Sequence, residues 1–273
     1  MTSQATSKEV FPVKAVVFDW AGTMIDFGCM APVEALIDVF ATEGITLTDA
    51  EARADMGMAK IAHLRAILAE PGVAARWQEA KGTPAGEDDI ARIFAKLEPA
   101  MIEAAARAAV LIPGAAETAA ALRELGIRIG SGTGYTPSMM AAIRKAAAEQ
   151  GYEPEVVICS GDTPSGRPAP LMTWAALIPL DAWPASTCIK VDDAPVGIAE
   201  GKNAGCWAVG ISGSGNEVGL TLEDYRALPD EDRRARVARA EATLRAAGAD
   251  FVIEDISQLI PVVHEIARRI AAS

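Results

Sequence analysis

The sequence predicts an α/β protein: a doubly wound, mostly parallel sheet core with an inserted α-helical cap domain. Three observations carry this. From Ile112 onward, short apolar runs alternate with segments of helical period, the pattern of a parallel sheet covered by helices on both faces. Before that alternation, one strand-like run is followed by about 75 residues of helical character with no good strand candidate, which reads as a helical bundle inserted after the first strand. The chain's 273 residues, 51% of them hydrophobic, suffice for one large or two moderate domains with a sizeable core.

Residues 1–13 read as a flexible N-terminal lead. Residues 15–18 are four apolar residues after the charged Lys14, a short buried strand. Asp19 stands at its carboxyl end, ahead of a Gly22-Thr23 turn, and residues 26–32 form a linker. The helix over 31–43 sets Val33, Leu36, Ile37 and Phe40 on one face and ends at Gly44. Helical segments follow near 49–55, 58–69, 71–81 and 87–107, broken at Gly57, at Pro71-Gly72 and over 82–86. Beyond Gly114 come helix 115–125, strand 127–131, helix 136–150, strand 156–159, helix 169–178, strand 188–192, helix 195–203 and strand 206–210. Residues 226–247 read as a charged surface helix and 249–253 as a last short strand. The closing helix, 255–270, packs through Ile256, Leu259, Ile260, Val263 and Ile266. The resulting division is a core of residues 14–27 and 108–273 with a cap of residues 28–107.

A formal charge of −12 and a pI near 4.7 argue against nucleic-acid and acidic-membrane partners. They leave room for a small anionic substrate, because a metal and one or two cationic side chains reverse the local sign. Cys29, Cys159, Cys188 and Cys206 are scattered and fit no zinc spacing, so they read as buried thiols of a reducing cytoplasm. The polar start lacks a signal-peptide apolar region, and no apolar run is long enough for a membrane span.

Four positions fall at carboxyl ends of the expected strands: Asp19, Thr133, Arg167 just beyond its strand, and the pair Asp192-Asp193. Each alone reads as a cap or turn residue. Parallel strands bring all of them to one edge of the sheet, where open α/β folds bind ligands. As a set they suit phosphoryl transfer. Asp19 and Asp193 offer hard oxygens for Mg²⁺, and a carboxylate can serve as nucleophile. Thr133, the Gly134 N–H and the planar fork of Arg167 suit phosphoryl oxygens. In the helical insert, Lys60, His63 and Ile67 share one helix face by their spacing.

Phe18-Asp-Trp-Ala-Gly-Thr23, Thr133, Arg167 and Val191-Asp-Asp193 together resemble the haloacid dehalogenase superfamily, whose general pattern begins D-x-D-G-T. Ala21 stands where most phosphatases of that superfamily carry a second aspartate that protonates the leaving alkoxide. This departure points to a leaving group that needs no proton on oxygen. With Gly28-Cys29, Met56 to Ala66, Gly132 to Thr136, Gly166 to Pro170 and Asn203 to Gly205, the chain closely resembles the phosphonoacetaldehyde hydrolase (phosphonatase) family over roughly residues 14–265.

That resemblance implies a haloacid dehalogenase-like fold with Asp19 as nucleophile and Lys60 as Schiff-base lysine. It makes Asp19, Asp193 and the Ala21 carbonyl ligands of Mg²⁺, and Thr133 and Arg167 binders of the phosphonyl group. Ala21, Gly134, Met56, Tyr135 and Cys29 become candidate substrate contacts, with ordinary packing the plainer reading of Cys29. The implied partner is a small phosphonate, and the implied assembly is a homodimer with the cap as a contact region. A Schiff-base lysine makes the leaving carbon depart as an enamine, which agrees with Ala21. Such a lysine needs a lowered pKa. His63 reads either as a proton relay for imine formation or as interface packing.

Many superfamily members carry a further carboxylate at the position of Gly197, so fewer side-chain ligands and a filling water are expected, with Asp192 pointing away or capping a helix. Two rival readings are a Mg²⁺-dependent phosphomonoesterase of the same superfamily and a catalytically silent anion-binding protein on this fold. Ala21 and Lys60 argue against the first, and the intact Asp19, Thr133, Arg167 and Asp193 set against the second.

Overall fold

The computed structural model describes residues 11–273. The first ten residues of the expected flexible lead lie outside the described residues. Its last part is packed: Val13 is buried, and the Phe11 ring meets His264 edge-on at 5.4 Å.

The chain opens with β1 (Ala15–Phe18), whose four residues are all buried. Five helices follow: α1 (Met30–Thr42), α2 (Asp49–Arg53), α3 (Lys60–Ala69), α4 (Pro71–Lys81) and α5 (Glu87–Arg107). Alternation then begins with α6 (Ala115–Glu124), β2 (Arg128–Gly132), α7 (Pro137–Glu149) and β3 (Val156–Ile158). It continues through α8 (Leu171–Leu177), β4 (Cys188–Asp192), α9 (Pro195–Ala204) and β5 (Trp207–Ile211). The chain ends with α10 (Leu222–Ala227), α11 (Asp230–Ala246), β6 (Phe251–Ile253) and α12 (Leu259–Ala271).

The six strands form one sheet in the order β3-β2-β1-β4-β5-β6, and every pairing is parallel. Parallel strands buried on both faces read as apolar runs, and β1 illustrates the reason. Val16 and Phe18 face a large core shared with the insert, α6, α7 and α12. Ala15 and Val17 face a second core with Ala176, Leu177 and Leu180. The doubly wound α/β class expected from the sequence is therefore the architecture observed.

Three expected helices differ. The helix expected over 226–247 is two, because Leu228 is extended ahead of Pro229, a residue pair that does not continue a helix. The closing helix starts at Leu259 after a short 3₁₀ turn that Asp255 caps through the Ser257 N–H. In the insert, α3 starts at Lys60 rather than residue 58, following the left-handed Gly57 at φ 94°.

The insert is held by its own apolar face and by ions. α5 buries Ile90, Ile93, Leu97 and Met101 and packs on α1 and α7. At the end of α1, Glu43 receives Lys81, Arg92 and Lys96 from α4 and α5 at 2.6–3.0 Å. Among the described residues no helix is long and apolar enough to cross a membrane.

Candidate active site

Neighbouring strands connect in opposite directions on either side of β1, which opens a crevice at the carboxyl ends of β1, β2 and β4. Asp19 follows β1, and its N–H donates to the Val191 carbonyl at 3.0 Å. Thr133 follows β2, and its N–H donates to the Ile158 carbonyl at 3.0 Å. Asp193 follows β4. The backbones of Asp19 and Thr133 are thus fixed by the sheet ladder, and all three residues line one cavity above it.

Asp19, Asp192 and Asp193 each offer a carboxylate oxygen within 4.8 Å of the others, and all three are buried. Burial, with the negative fields of Asp19 and Asp192 added, pushes Asp193 up to about 8. The Thr23 hydroxyl donates to Asp193 Oδ1 at 2.9 Å, and the Asn216 N–H to Oδ2 at 2.9 Å. Burial also raises Asp19, although Arg167 opposes it. A concentration of hard oxygens with too little positive charge among them fits a divalent metal.

Arg167 has four of its five N–H donors engaged. Its Nη2 donates to Asp19 Oδ1 at 2.7 Å and to the Gly132 carbonyl at 2.8 Å, while Nε donates to Glu200 Oε2 at 2.9 Å. Its Nη1 reaches the insert, donating to the Gly57 carbonyl at 3.3 Å. Beneath it, Lys190 Nζ lies 2.8 Å from Asp192 Oδ2 and 3.6 Å from Glu200 Oε2. Burial drives Asp192 upward, but Lys190 and Arg167 outweigh it and hold the carboxyl below its usual range.

The insert supplies the opposite wall. Lys60 is buried at 3% exposure, with Nζ 3.6 Å from Met56 Sδ and 5.6 Å from the centre of the Tyr135 ring. Burial lowers its pKa to about 8, with Arg167 reinforcing and Asp19 opposing the shift. An ammonium in this place has few polar partners, so the neutral amine is far more accessible than in an ordinary lysine. His63 is fully buried one turn further along α3, with Nε2 2.6 Å from the Ala54 carbonyl and Nδ1 without a partner. Burial, then the charge of Lys60, lowers its pKa to about 3, so it is a neutral imidazole.

One cavity collects nearly every residue expected from the sequence. Asp19, Ala21, Asp193, Thr133, Gly134 and Arg167 come from the sheet edge. Cys29, Met56 and Lys60 come from the insert side, and Tyr135 closes the space between them. Its accessible space of about 20 Å³ is little more than one water needs, so the two walls are closed on each other. His63 is not on the wall. Cys29 Sγ lies 3.4 Å from Asp193 Oδ2, and burial holds the thiol well above its usual pKa.

Asp192 departs from expectation. Its Oδ1 accepts the Ala194 N–H at 3.1 Å in a turn ahead of α9, where no side chain caps the helix, and its carboxylate points into the cluster rather than away. A Cβ on Gly197 would sit 1.9 Å from Asp192 Oδ2, so the Asp192 carboxylate occupies the room beside that glycine. The sequence reading also passed over Lys190, Glu200 and Asn216. Lys190 carried a usable signal: a lysine between Ile189 and Val191 on a central parallel strand is buried and must find a charge partner.

A family model for haloacid dehalogenase-like hydrolases matches residues 13–205. A phosphonoacetaldehyde hydrolase of Paraburkholderia phytofirmans is 46% identical over 95% of this chain and 97% of its own length. The crystal structure of a phosphonoacetaldehyde hydrolase-like protein from Oleispira antarctica superposes with a TM-score of 0.95 at 41% identity, covering 100% of this chain and 99% of that one. A β-phosphoglucomutase structure from Clostridium difficile, at 14% identity and a TM-score of 0.67 over 96% of this chain and all of that one, shares the fold.

Proposed function

The chain belongs to the haloacid dehalogenase-like hydrolase family, among its phosphonoacetaldehyde hydrolases, and on that premise we propose how it splits the phosphorus–carbon bond of phosphonoacetaldehyde. The enzyme yields acetaldehyde and phosphate. The observation that carries the mechanism is a buried Lys60, lowered to about 8, lining with Asp19 one narrow cavity in which Ala21 offers no acid.

The neutral Lys60 amine adds to the aldehyde carbon, and with uptake of one proton, returned when the imine is later hydrolysed, the adduct expels water and leaves a protonated imine. An Asp19 carboxylate oxygen attacks phosphorus. As the new O–P bond forms, the P–C bond breaks and its electron pair enters the imine, giving a neutral enamine and an aspartyl-phosphate. The enamine carbon takes a proton, and water then releases acetaldehyde and restores the Lys60 amine. A second water opens the aspartyl-phosphate and frees phosphate. One water is expelled and two are consumed, so the net reaction consumes one.

The Thr133 hydroxyl accepts the Tyr135 N–H at 3.1 Å, which leaves its own proton free for a phosphonyl oxygen. The Gly134 N–H and Arg167 complete that contact, with Nη1 the least committed nitrogen of the guanidinium. Arg167 also orients the Asp19 carboxylate through its 2.7 Å hydrogen bond. Mg²⁺, held by Asp19, Asp193 and the Ala21 carbonyl, would supply counter-charge to the phosphonyl oxygens. Met56 Sδ and the Tyr135 ring lie around Lys60 Nζ, and it is burial that moves the lysine toward the free amine. His63, neutral and off the cavity wall, is assigned the packing of α3 onto the Ala54 carbonyl. The helical insert, residues 28–107, acts as the cap that brings Lys60 in and excludes water, and the narrow cavity supports a cycle of opening and closing. A cytoplasmic homodimer completes the proposal, and the four free, buried cysteines support the reducing compartment.

The test is acetaldehyde and phosphate production from phosphonoacetaldehyde with Mg²⁺ in wild type and Lys60→Arg. Arginine keeps the charge but has no usable amine. Near-total loss, by about 10³-fold or more, is expected in the variant. Equal rates would make Lys60 a structural charge and sink the imine mechanism. Activity on phosphate esters alone would instead favour a phosphomonoesterase.

A further inference from the structure

We propose that Asn216 and Arg53 form a latch that sets the insert's position over the core, and that Asn216 couples this latch to Asp193. The inference rests on the reading that Lys60 must be delivered to Asp19 by closure of the insert. Neither residue touches the cavity, so both are positioning residues.

The latch lies in the loop after β5. The Asn216 backbone N–H donates to Asp193 Oδ2 at 2.9 Å. Its side chain turns both ends of the amide to a single residue of the insert. Nδ2 donates to the Arg53 carbonyl at 3.2 Å, and Oδ1 accepts from Arg53 Nη1 at 3.4 Å. Arg53 Nη1 also donates to the Gly28 carbonyl at 2.7 Å, and Nη2 to the Gly219 carbonyl at 3.4 Å. Asn216 is 5% exposed and the Arg53 side chain 9%, so these bonds are partly buried. The same loop also grips the core and the start of the insert: the Ser214 hydroxyl donates to the Gly22 carbonyl at 2.7 Å, and the Ser214 carbonyl accepts the N–H of Gly28, the insert's first residue, at 2.8 Å.

Close approach is built in at both ends of the loop. A Cβ on Gly215 would lie 2.4 Å from Asp193 Cβ, and one on Gly219 would lie 2.8 Å from Arg53 Nε. Arg53 ends α2, the next carbonyl, Ala54, meets His63, and α3 begins at Lys60. Fixing Arg53 therefore fixes the segment from which Lys60 projects. Because one residue touches both Asp193 and Arg53, occupation of the carboxylate cluster and closure of the insert are linked, and linkage runs in both directions.

The experiment uses the full chain as wild type, Asn216→Ala, Arg53→Lys and Arg53→Ala, and the Asn216→Ala/Arg53→Ala double variant. Asn216→Ala keeps the backbone N–H on Asp193 and removes only the bridge. Hydrogen exchange over residues 49–69 is followed with and without Mg²⁺ plus inorganic phosphate, beside borohydride inactivation in the presence of phosphonoacetaldehyde. In wild type, Mg²⁺ and phosphate should slow exchange there. In the folded single variants that slowing should disappear and inactivation should fall about 10-fold or more, with Arg53→Lys following the same direction. The double variant should be little worse than either alanine variant, as residues acting in one contact are non-additive. Wild-type exchange and inactivation in folded Asn216→Ala, or strictly additive effects, would overturn the latch. If wild type is not inactivated at all, the imine reading fails, and the exchange data still decide the latch.

Discussion

Two buried carboxylates, Glu43 in the insert and Asp193 at the sheet edge, have opposite surroundings and opposite pKa shifts. Glu43 is ringed by Lys81, Arg92 and Lys96, and although burial works against it, these three cations bring it down to about 2. Asp193 is ringed by Asp19 and Asp192 and receives only neutral donors, so burial and repulsion lift it to about 8. The first arrangement ties α1 to α4 and α5. The second destabilises its own carboxylate and makes the site receptive to a cation. Low exposure alone therefore says little about purpose: Glu43 lies near the surface among cations and Asp193 deep among carboxylates, and the sign of the neighbouring charge decides the direction of each shift.

The largest test of this contrast is Asp193→Asn. The change should abolish phosphate release, by about 10³-fold or more, while raising the metal-free melting temperature, because it removes an uncompensated charge. The pH dependence has a defined sign. The folded pKa of about 8 exceeds the ordinary 3.8, so this group's contribution to metal-free stability is greatest below 3.8 and declines as pH rises toward 8. That decline should be absent in Asp193→Asn and opposed by Mg²⁺ in wild type. A variant less stable than wild type without metal at pH 7–8 would show that the carboxylate is structurally compensated after all.

Lys60 sharpens the contrast from the cationic side. It is buried like Glu43 but lacks the opposing charges that would keep it ionised, and it falls to about 8. Borohydride inactivation in the presence of the aldehyde should rise about tenfold per pH unit below 8 and level off above it. A lysine at its ordinary 10.5 would keep rising past pH 9. Arg167→Lys, which loses the fork that holds Asp19 and Glu200 together, is a useful control for the charge that reinforces the shift.

The same contrast explains what the sequence made legible. Apolar runs such as Ala15–Phe18, ending in a lone aspartate, announce both a parallel strand and a position on its functional edge. Asp19, Thr133, Arg167 and Asp193 were accessible because the topology alone brings strand ends together. Lys60 was accessible through motif order rather than local chemistry. Charge compensation was not legible, because its partners are remote in sequence: Arg167 meets Glu200 across 33 residues, and Asn216 meets Arg53 across 163. Asp192 was misjudged for the same reason. A pattern gives the strand end, but only the packing puts its carboxylate beside Gly197 and over Lys190. The break at Leu228-Pro229, by contrast, was a local signal that a charged, helix-rich composition masked.

The smallest expected effect is that of Glu43→Gln, which tests the compensated member of the pair. The folded pKa of about 2 lies below the ordinary 4.5, so the stabilisation is fully present above 4.5 and lost as pH falls toward 2. The full shift corresponds to about 3 kcal/mol, but the three cations are 32–44% exposed and therefore partly screened, so about 1–2 kcal/mol is the expected loss. Denaturant unfolding at pH 7 and at pH 3 measures it: the difference between wild type and variant should shrink at the lower pH and in high salt. Activity per folded molecule should stay within about twofold, since the variant leaves the cavity untouched. A loss of activity without a loss of stability would mean that Glu43 governs how the insert closes, and the division between a carboxylate for stability and a carboxylate for chemistry would not stand.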